Sequence, residues 1–141
     1  MITFLWAALC IASAWMAGIA WYVQFVHYPA FRFVDPARWA EFHRFHCNWT
    51  GPVVGVGIGV QVVCTVGVVI LATKQLIWPA YFSVLLLGCT VGWTALVSGP
   101  LHRHFMHEFS EDQLQKLLWT NWIRAIFWVV QACVAAAIAF R

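Results

Sequence analysis

The sequence predicts an all-α integral membrane protein, a single bundle of four helices. Three observations predict it. Hydrophobic residues make up 63% of the chain and charged ones only 9%, against about 25% charged residues in soluble domains. The apolar residues gather into four runs, each long enough to cross a hydrocarbon core of ~30 Å, which takes about 20 helical residues. Within those runs the only charge is Arg124.

The runs are Ile2 to Val26, Thr50 to Thr73, Ile77 to Ser98 and Leu117 to Phe140. They define a single transmembrane domain, residues 1–141, with spans near 2–26, 50–73, 77–98 and 117–140. The first run lacks a basic n-region and exceeds the length of a secretory h-region, so it reads as a retained helix. Asp35-Pro36 is a helix start: the Asp side chain accepts from unpaired N–H groups and Pro suits the first helical position. Trp39, Phe42, His43 and His46 then share one helical face at i, i+3, i+4 and i+7. That helix runs into the second span, with a bend expected at Gly51-Pro52. Gly51, Gly55 and Gly59, at i, i+4 and i+8, form the small-residue stripe that lets helices approach closely in lipid. Trp78-Pro79 opens the third span and Ser98-Gly99-Pro100 is expected to close it. Ser110 to Gln113 matches a capping box and starts a helix reaching Phe140. Along it Asn121, Arg124, Trp128 and Gln131 make a polar stripe that must face inward, because lipid would not tolerate it outside.

Four spans place the links 28–49 and 99–116 on one side of the bilayer, and Lys74 to Leu76 with both termini on the other. Arg32, Arg38, Arg44, Arg103, Lys116 and Arg124 lie on the first side and only Lys74 and Arg141 on the second. The positive-inside rule makes the long links cytoplasmic and both termini outward. The net charge of +3 therefore carries no implication of nucleic acid. A weak internal repeat, "PAFR" at Pro29 with "PLHR" at Pro100 and "NW" at Asn48 with "NW" at Asn121, suggests two tandem helical hairpins about a pseudo-twofold axis along the membrane normal.

All six histidines follow the same partition. His27 ends the first span, His43 and His46 precede the second, and His102, His104 and His107 follow the third. His43 and His46, three apart on a helix, can turn toward one ion, and His104 and His107 repeat the spacing. Imidazole-rich sites suit copper, iron or zinc, whereas magnesium and calcium want oxygen ligands. The expected ligands are His27, His43, His46 and His102, nearest the helix ends, with His104, His107 and Glu108 in support. Glu108 is a candidate ligand, tautomer-holding partner or proton acceptor. Arg124 either snorkels to the surface or pairs with an anion such as a carboxylate, a quinone or a haem propionate; with Glu108 it is the candidate catalytic group. Cys10, Cys64, Cys89 and Cys133 sit singly in apolar runs as packing residues, while Cys47, next to His46, is a further candidate ligand. Interfacial histidines without shared chemistry, or histidines that only handle protons, are the competing readings. Phe25, Tyr28, Phe31, Trp39, Trp49, Trp119 and Trp122 read first as an interfacial aromatic belt.

The residues "HYPAF" at His27 to Phe31, "FHRFH" at Phe42 to His46, "PLH" at Pro100 to His102 and "NWIR" at Asn121 to Arg124 resemble those of an uncharacterised group of small bacterial four-helix membrane proteins. More distantly the chain is similar to the anthrone-oxygenase-like family, through the tandem hairpins and the "NW.R" near the start of the last helix. The resemblance implies a bacterial inner-membrane protein that oxidises a hydrophobic substrate, aromatic ones included. In size alone the chain is similar to the small membrane protoporphyrinogen oxidases, which are associated with haem. The primary expectation is thus a membrane redox protein with a cytoplasmic-side transition-metal site acting on a lipophilic molecule. The alternatives are a non-enzymatic, metal-handling subunit of a membrane assembly, a homo-oligomer included, and a haem-binding membrane protein.

Orientation has its own test. Single cysteines introduced between Pro36 and Arg44 should react with an impermeant thiol reagent only from the cytoplasm, and one at Lys74 only from outside; the reverse pattern would invert the topology.

Overall fold

A computed structural model describes all residues, 1–141. Its four helices are α1 (Ile2–Phe33), α2 (Pro36–Ile70), α3 (Ile77–His104) and α4 (Glu111–Ala139), each long and apolar enough to cross a membrane. They alternate in direction and close into a ring: α1 packs most extensively against α4, then against α2, and α3 completes the ring by touching both α2 and α4. The interior is narrow, with 34 of 141 residues buried. The outer face carries Phe4, Ile11, Val63, Leu96 and Phe140, an apolar surface that water would not favour and lipid would.

The helices outrun the apolar spans. At about 1.5 Å per residue, the 35 residues of α2 reach roughly 52 Å, well beyond the ~30 Å hydrocarbon core. Both long links are therefore largely helical, and the histidines of α1, α2 and α3 sit on rigid extensions. Only Val34-Asp35 separates α1 from α2. There Asp35 Oδ1 accepts from the Ala37 N–H at 2.8 Å, the cap expected of Asp before Pro. Half of the capping box at Ser110 also forms: its Oγ accepts from the Gln113 N–H at 3.5 Å, but Gln113 Oε1 is left buried without a partner. Arg32 grips Glu111 through two hydrogen bonds, of 3.0 and 2.5 Å, tying the end of α1 to the start of α4. Both side chains are exposed, so the pair contributes only about 0–1 kcal/mol.

Two expectations about helix breakers are corrected. Gly99-Pro100 does not close the third span; α3 continues to His104. The helix widens to a π turn at Thr94–Ser98, immediately before Gly99-Pro100. The same device occurs at Val23–His27, just before Tyr28-Pro29. A proline ring clashes with the carbonyl four residues back and lacks the N–H that would bond to it. An i→i+5 turn moves that carbonyl aside and keeps the helix continuous. The two "P..R" corners thus share a backbone device as well as a motif. The "NW" pairs do not share an environment: Asn121 is buried and Asn48 exposed.

The second correction concerns glycine. Gly51, Gly55 and Gly59 face open space within the chain, so their stripe does not seat a neighbouring helix of the bundle. Close approach occurs instead at Gly57, where a Cβ would collide with the Met16 side chain of α1, and at Gly67, where it would meet Leu5 Cδ1 at 2.8 Å. Met16 is itself fully buried and has little room to move.

Gly57→Val should therefore destabilise the bundle by about 1–3 kcal/mol, the range for overpacking, whereas Gly55→Val should leave a monomer nearly unchanged. Thermal unfolding of both variants in mild detergent checks this; equal melting temperatures would refute the assigned α1–α2 contact.

Candidate metal centre

The histidine end is built by all four helices. The π turn in α1 ends at His27, so His27 and the following Tyr28 and Phe31 face the bundle axis. The α2 extension carries His43, His46 and Cys47, at i, i+3 and i+4, on one face. α3 brings His102 one turn beyond its own π turn, and α4 brings Asn121 and Arg124.

Four imidazoles converge there. Ring centroids lie 4.7 Å apart for His27 and His46, 5.6 Å for His43 and His46, 5.3 Å for His43 and His102, and 5.3 Å for His46 and His102. His27 Nε2 and His46 Nδ1 are 2.7 Å apart, and Thr50 Oγ1 lies 3.1 Å from the same His46 nitrogen. His43 Nε2 is 3.4 Å from His102 Nδ1 and 3.3 Å from the His102 carbonyl. The Tyr28 hydroxyl sits 3.0 Å from His102 Nε2. If His102 Nε2–H donates to Tyr28, its Nδ1 presents a lone pair to the cluster. This is the partner arrangement that fixes the tautomer of a metal-binding histidine. His43 Nδ1 is buried without any partner.

The ligands expected from the sequence are His27, His43, His46 and His102. The three residues whose ligand atoms all lie within 4.8 Å of one another are His43, Cys47 and His102. In this arrangement His27 and His46 are engaged with each other. Cys47 had a signal in the sequence beyond its position after His46: it stands one helical turn from His43. His104, His107 and Glu108 lie apart from the cluster. All are exposed, and His104 lines a separate groove with Lys116 and Trp119.

Aromatic rings wall the cluster off. Trp39 and His102 both stack on His43, at 5.1 Å and 23° and at 5.3 Å and 25° respectively. Phe31 and Phe105 present their edges to His43. Trp39 donates from Nε1 to the Phe105 carbonyl at 2.8 Å, which pins the start of α2 to the turn after α3. Tyr28, Phe31 and Trp39 therefore belong to the interior and not to the interfacial belt expected of them; Phe25, Trp49 and Trp119 are exposed as a belt requires.

Beneath the cluster a cavity of about 290 Å³ opens between the helices. His46, Cys47, His102 and Tyr28 line its upper end, and Val23, Val54 and Ile19 its apolar wall; Asn121, Arg124 and Trp128 form the α4 side. The inward polar stripe expected on α4 is buried: Asn121, Arg124, Trp128 and Gln131 are all 8% exposed or less. Asn121 Nδ2 donates to the Ala20 carbonyl at 2.9 Å, and Gln131 Nε2 donates to Ser83 Oγ at 3.0 Å, so the stripe also joins α4 to α1 and α3. Arg124 does not snorkel. Comparison with protein family models, characterised proteins and solved structures yields no match to this chain.

Proposed function

We propose that this chain is a membrane redox protein that holds one transition-metal ion through His43, Cys47 and His102 and acts on a small lipophilic molecule admitted to the adjoining cavity. The observation that carries the proposal is the mutual approach of one thiol and two imidazole donors, within 4.8 Å of one another, beside a cavity that two of the three residues, Cys47 and His102, line. Two imidazoles and a thiolate form a borderline-to-soft donor set that suits copper or zinc, and of these copper supplies one-electron chemistry. Iron remains within the range of imidazole ligation. Tyr28 would hold the His102 ring in the ligating tautomer, and His27 and His46 would brace the face opposite Trp39. Trp39, Phe31 and Phe105 would keep water from the ion.

This arrangement supports a bare ion over a haem. The four imidazoles pack against each other and against aromatic side chains, whereas an axial histidine needs a flat, open slot for the macrocycle. Oxidation of a lipophilic molecule, aromatic ones included, is also what the resemblance to the anthrone-oxygenase-like family implies. The second reading, a metal-handling subunit, is favoured by the exposed stripe of Gly51, Gly55 and Gly59, on which a partner helix could pack closely. Reduction of the copper-loaded protein by a lipophilic hydroquinone separates the two: bleaching of the copper band supports the redox reading, and a metal centre inert to reductant supports the other.

Purified in mild detergent and loaded with copper(II), the protein should retain stoichiometric metal through dialysis and show an intense visible thiolate-to-copper band. Cys47→Ser should abolish the band, and His102→Ala should release the metal. Tyr28→Phe should weaken affinity by about 10–100-fold, the effect of losing a partner that orients a ligand. His104→Ala and His107→Ala should change nothing. Elemental analysis and absorption spectra check each variant; full metal retention in both the Cys47 and His102 variants would sink the assignment.

A further inference from the structure

Arg124 is a cation without a counter-ion. It is 8% exposed and sits in a chain whose five acids, Asp35, Glu41, Glu108, Glu111 and Asp112, are all exposed at the histidine end. Its salt-bridge partners number none: the ion pairs of the molecule are Arg32–Glu111, Arg38–Glu41 and Lys116–Asp112. Its guanidinium donates to a neutral acceptor, Asn121 Oδ1, at 2.8 Å, and its other polar neighbour, the Tyr28 hydroxyl, is neutral as well. Asn121 is locked in that orientation because its amide nitrogen donates to the Ala20 carbonyl. The face of Trp128, with its centroid 5.9 Å from the guanidinium carbon, offers a weak cation–π contact. Removing a charge from water costs several kcal/mol unless it is paired, and nothing in this chain pairs it.

Three donor atoms on the lining residues also lack partners. Arg124 Nε, Ser98 Oγ and Trp128 Nε1 are all buried without hydrogen-bond partners, and all three residues line the cavity. Each can donate a hydrogen bond. The lining includes a second arginine, Arg103, and no carboxylate. A cavity with a buried positive charge and surplus donors is complementary to an oxyanion. Its opposite wall, of Ile19, Val23 and Val54, is complementary to an apolar body. At about 290 Å³ it stands at the small end of ligand pockets, roughly 300–1,000 Å³, so it takes a ring-sized molecule or a single headgroup and not a whole two-chain lipid.

We propose that the cavity binds an oxyanion carried on a small apolar body, with Arg124 as the anion's partner and Ser98 and Trp128 as further donors. This names the substrate class of the site proposed above and rests on that reading for its link to the metal. Binding of the anion itself needs no metal. The anion would lie on the α4 side of the cavity and its apolar part against α1 and α2, below Cys47 and His102.

The test is titration calorimetry of the full chain in neutral detergent, stripped of metal by chelator, with para-butylbenzoate as the probe and para-butylbenzyl alcohol as its neutral counterpart. The carboxylate should bind at least about tenfold more tightly than the alcohol, the worth of one hydrogen bond to a charged group. Arg124→Gln should erase that preference. Arg124→Lys should retain part of it, since an ammonium keeps the charge and loses the planar fork, and Ser98→Ala should lower it by a smaller factor. Elemental analysis of metal-loaded Arg124→Gln separates the two proposals: retained metal with lost carboxylate binding places the anion site apart from the metal ligands. Carboxylate binding by wild-type protein that never takes up metal would leave the anion site standing alone. Repeating the titration in nanodiscs identifies the natural source. Equal affinity in phosphatidylcholine and phosphatidylglycerol supports a free carboxylate, and weakening only in phosphatidylglycerol supports a lipid headgroup at the same arginine. Equal affinity for acid and alcohol, or a preference that survives in both Arg124 variants, would overturn the proposal.

Discussion

Lipid offers a peptide no hydrogen bonds, and that constraint organises this molecule. Every backbone N–H and C=O in the hydrocarbon region must be paired within its own helix, since each unpaired group there costs several kcal/mol. Helices that meet a proline must therefore adjust without breaking. The π turns at Val23–His27 and Thr94–Ser98 meet that requirement at the two equivalent corners. Continuous helices in turn hold His27 at the end of its π turn and carry His102 one turn beyond the other, on rigid backbone, where they meet His43, His46 and Cys47 of α2. Had α3 ended at Gly99-Pro100, His102 would stand on a mobile link, and donors must be held to about 0.5 Å for a site to be productive.

The same constraint sorts the side chains. Asn121, Arg124 and Gln131 turn inward because lipid excludes them, and there they bond to Ala20, to Asn121 and to Ser83 respectively. Arg124 Nε and Gln131 Oε1 are left unpaired by these bonds, and the charge of Arg124 makes the cavity it lines electropositive. Donor set and cavity adjoin through Cys47 and His102, which belong to both. A redox metal on that donor set and an anionic amphiphile in the cavity would be neighbours, with Cys47 and His102 common to both.

Much of the fold was legible in the sequence because the signals were local and strong. Four apolar runs, Asp35-Pro36 and the serine at 110 specify spans and starts through hydropathy and capping alone. The polar stripe on α4 was legible because 3.6-residue periodicity places Asn121, Arg124, Trp128 and Gln131 on one face. Proline misled, since its usual effect is to stop a helix and a π turn has no sequence signature of its own. Glycine misled too: Gly51, Gly55 and Gly59 have the spacing of a packing stripe, but the rotation of α2 that buries His43 and His46 leaves Gly51 at the cavity and Gly55 and Gly59 exposed, and turns Gly57 inward. In the site, the gathering of His27, His43, His46 and His102 could be argued from topology. The engagement of His27 with His46, and of Tyr28 with His102, depends on side-chain directions that spacing does not encode. Tyr28 and Trp39 read as belt residues because burial depends on the neighbouring helices.

The central claim is that one thiol and two imidazoles of this chain bind a single ion. X-ray absorption on the zinc-loaded protein tests it most directly, because sulfur and nitrogen scatterers separate by distance. The account predicts one sulfur neighbour at about 2.3 Å and two imidazole nitrogens at about 2.0–2.1 Å, with the sulfur lost in Cys47→Ser. A shell of nitrogen and oxygen alone, unchanged in that variant, would contradict it.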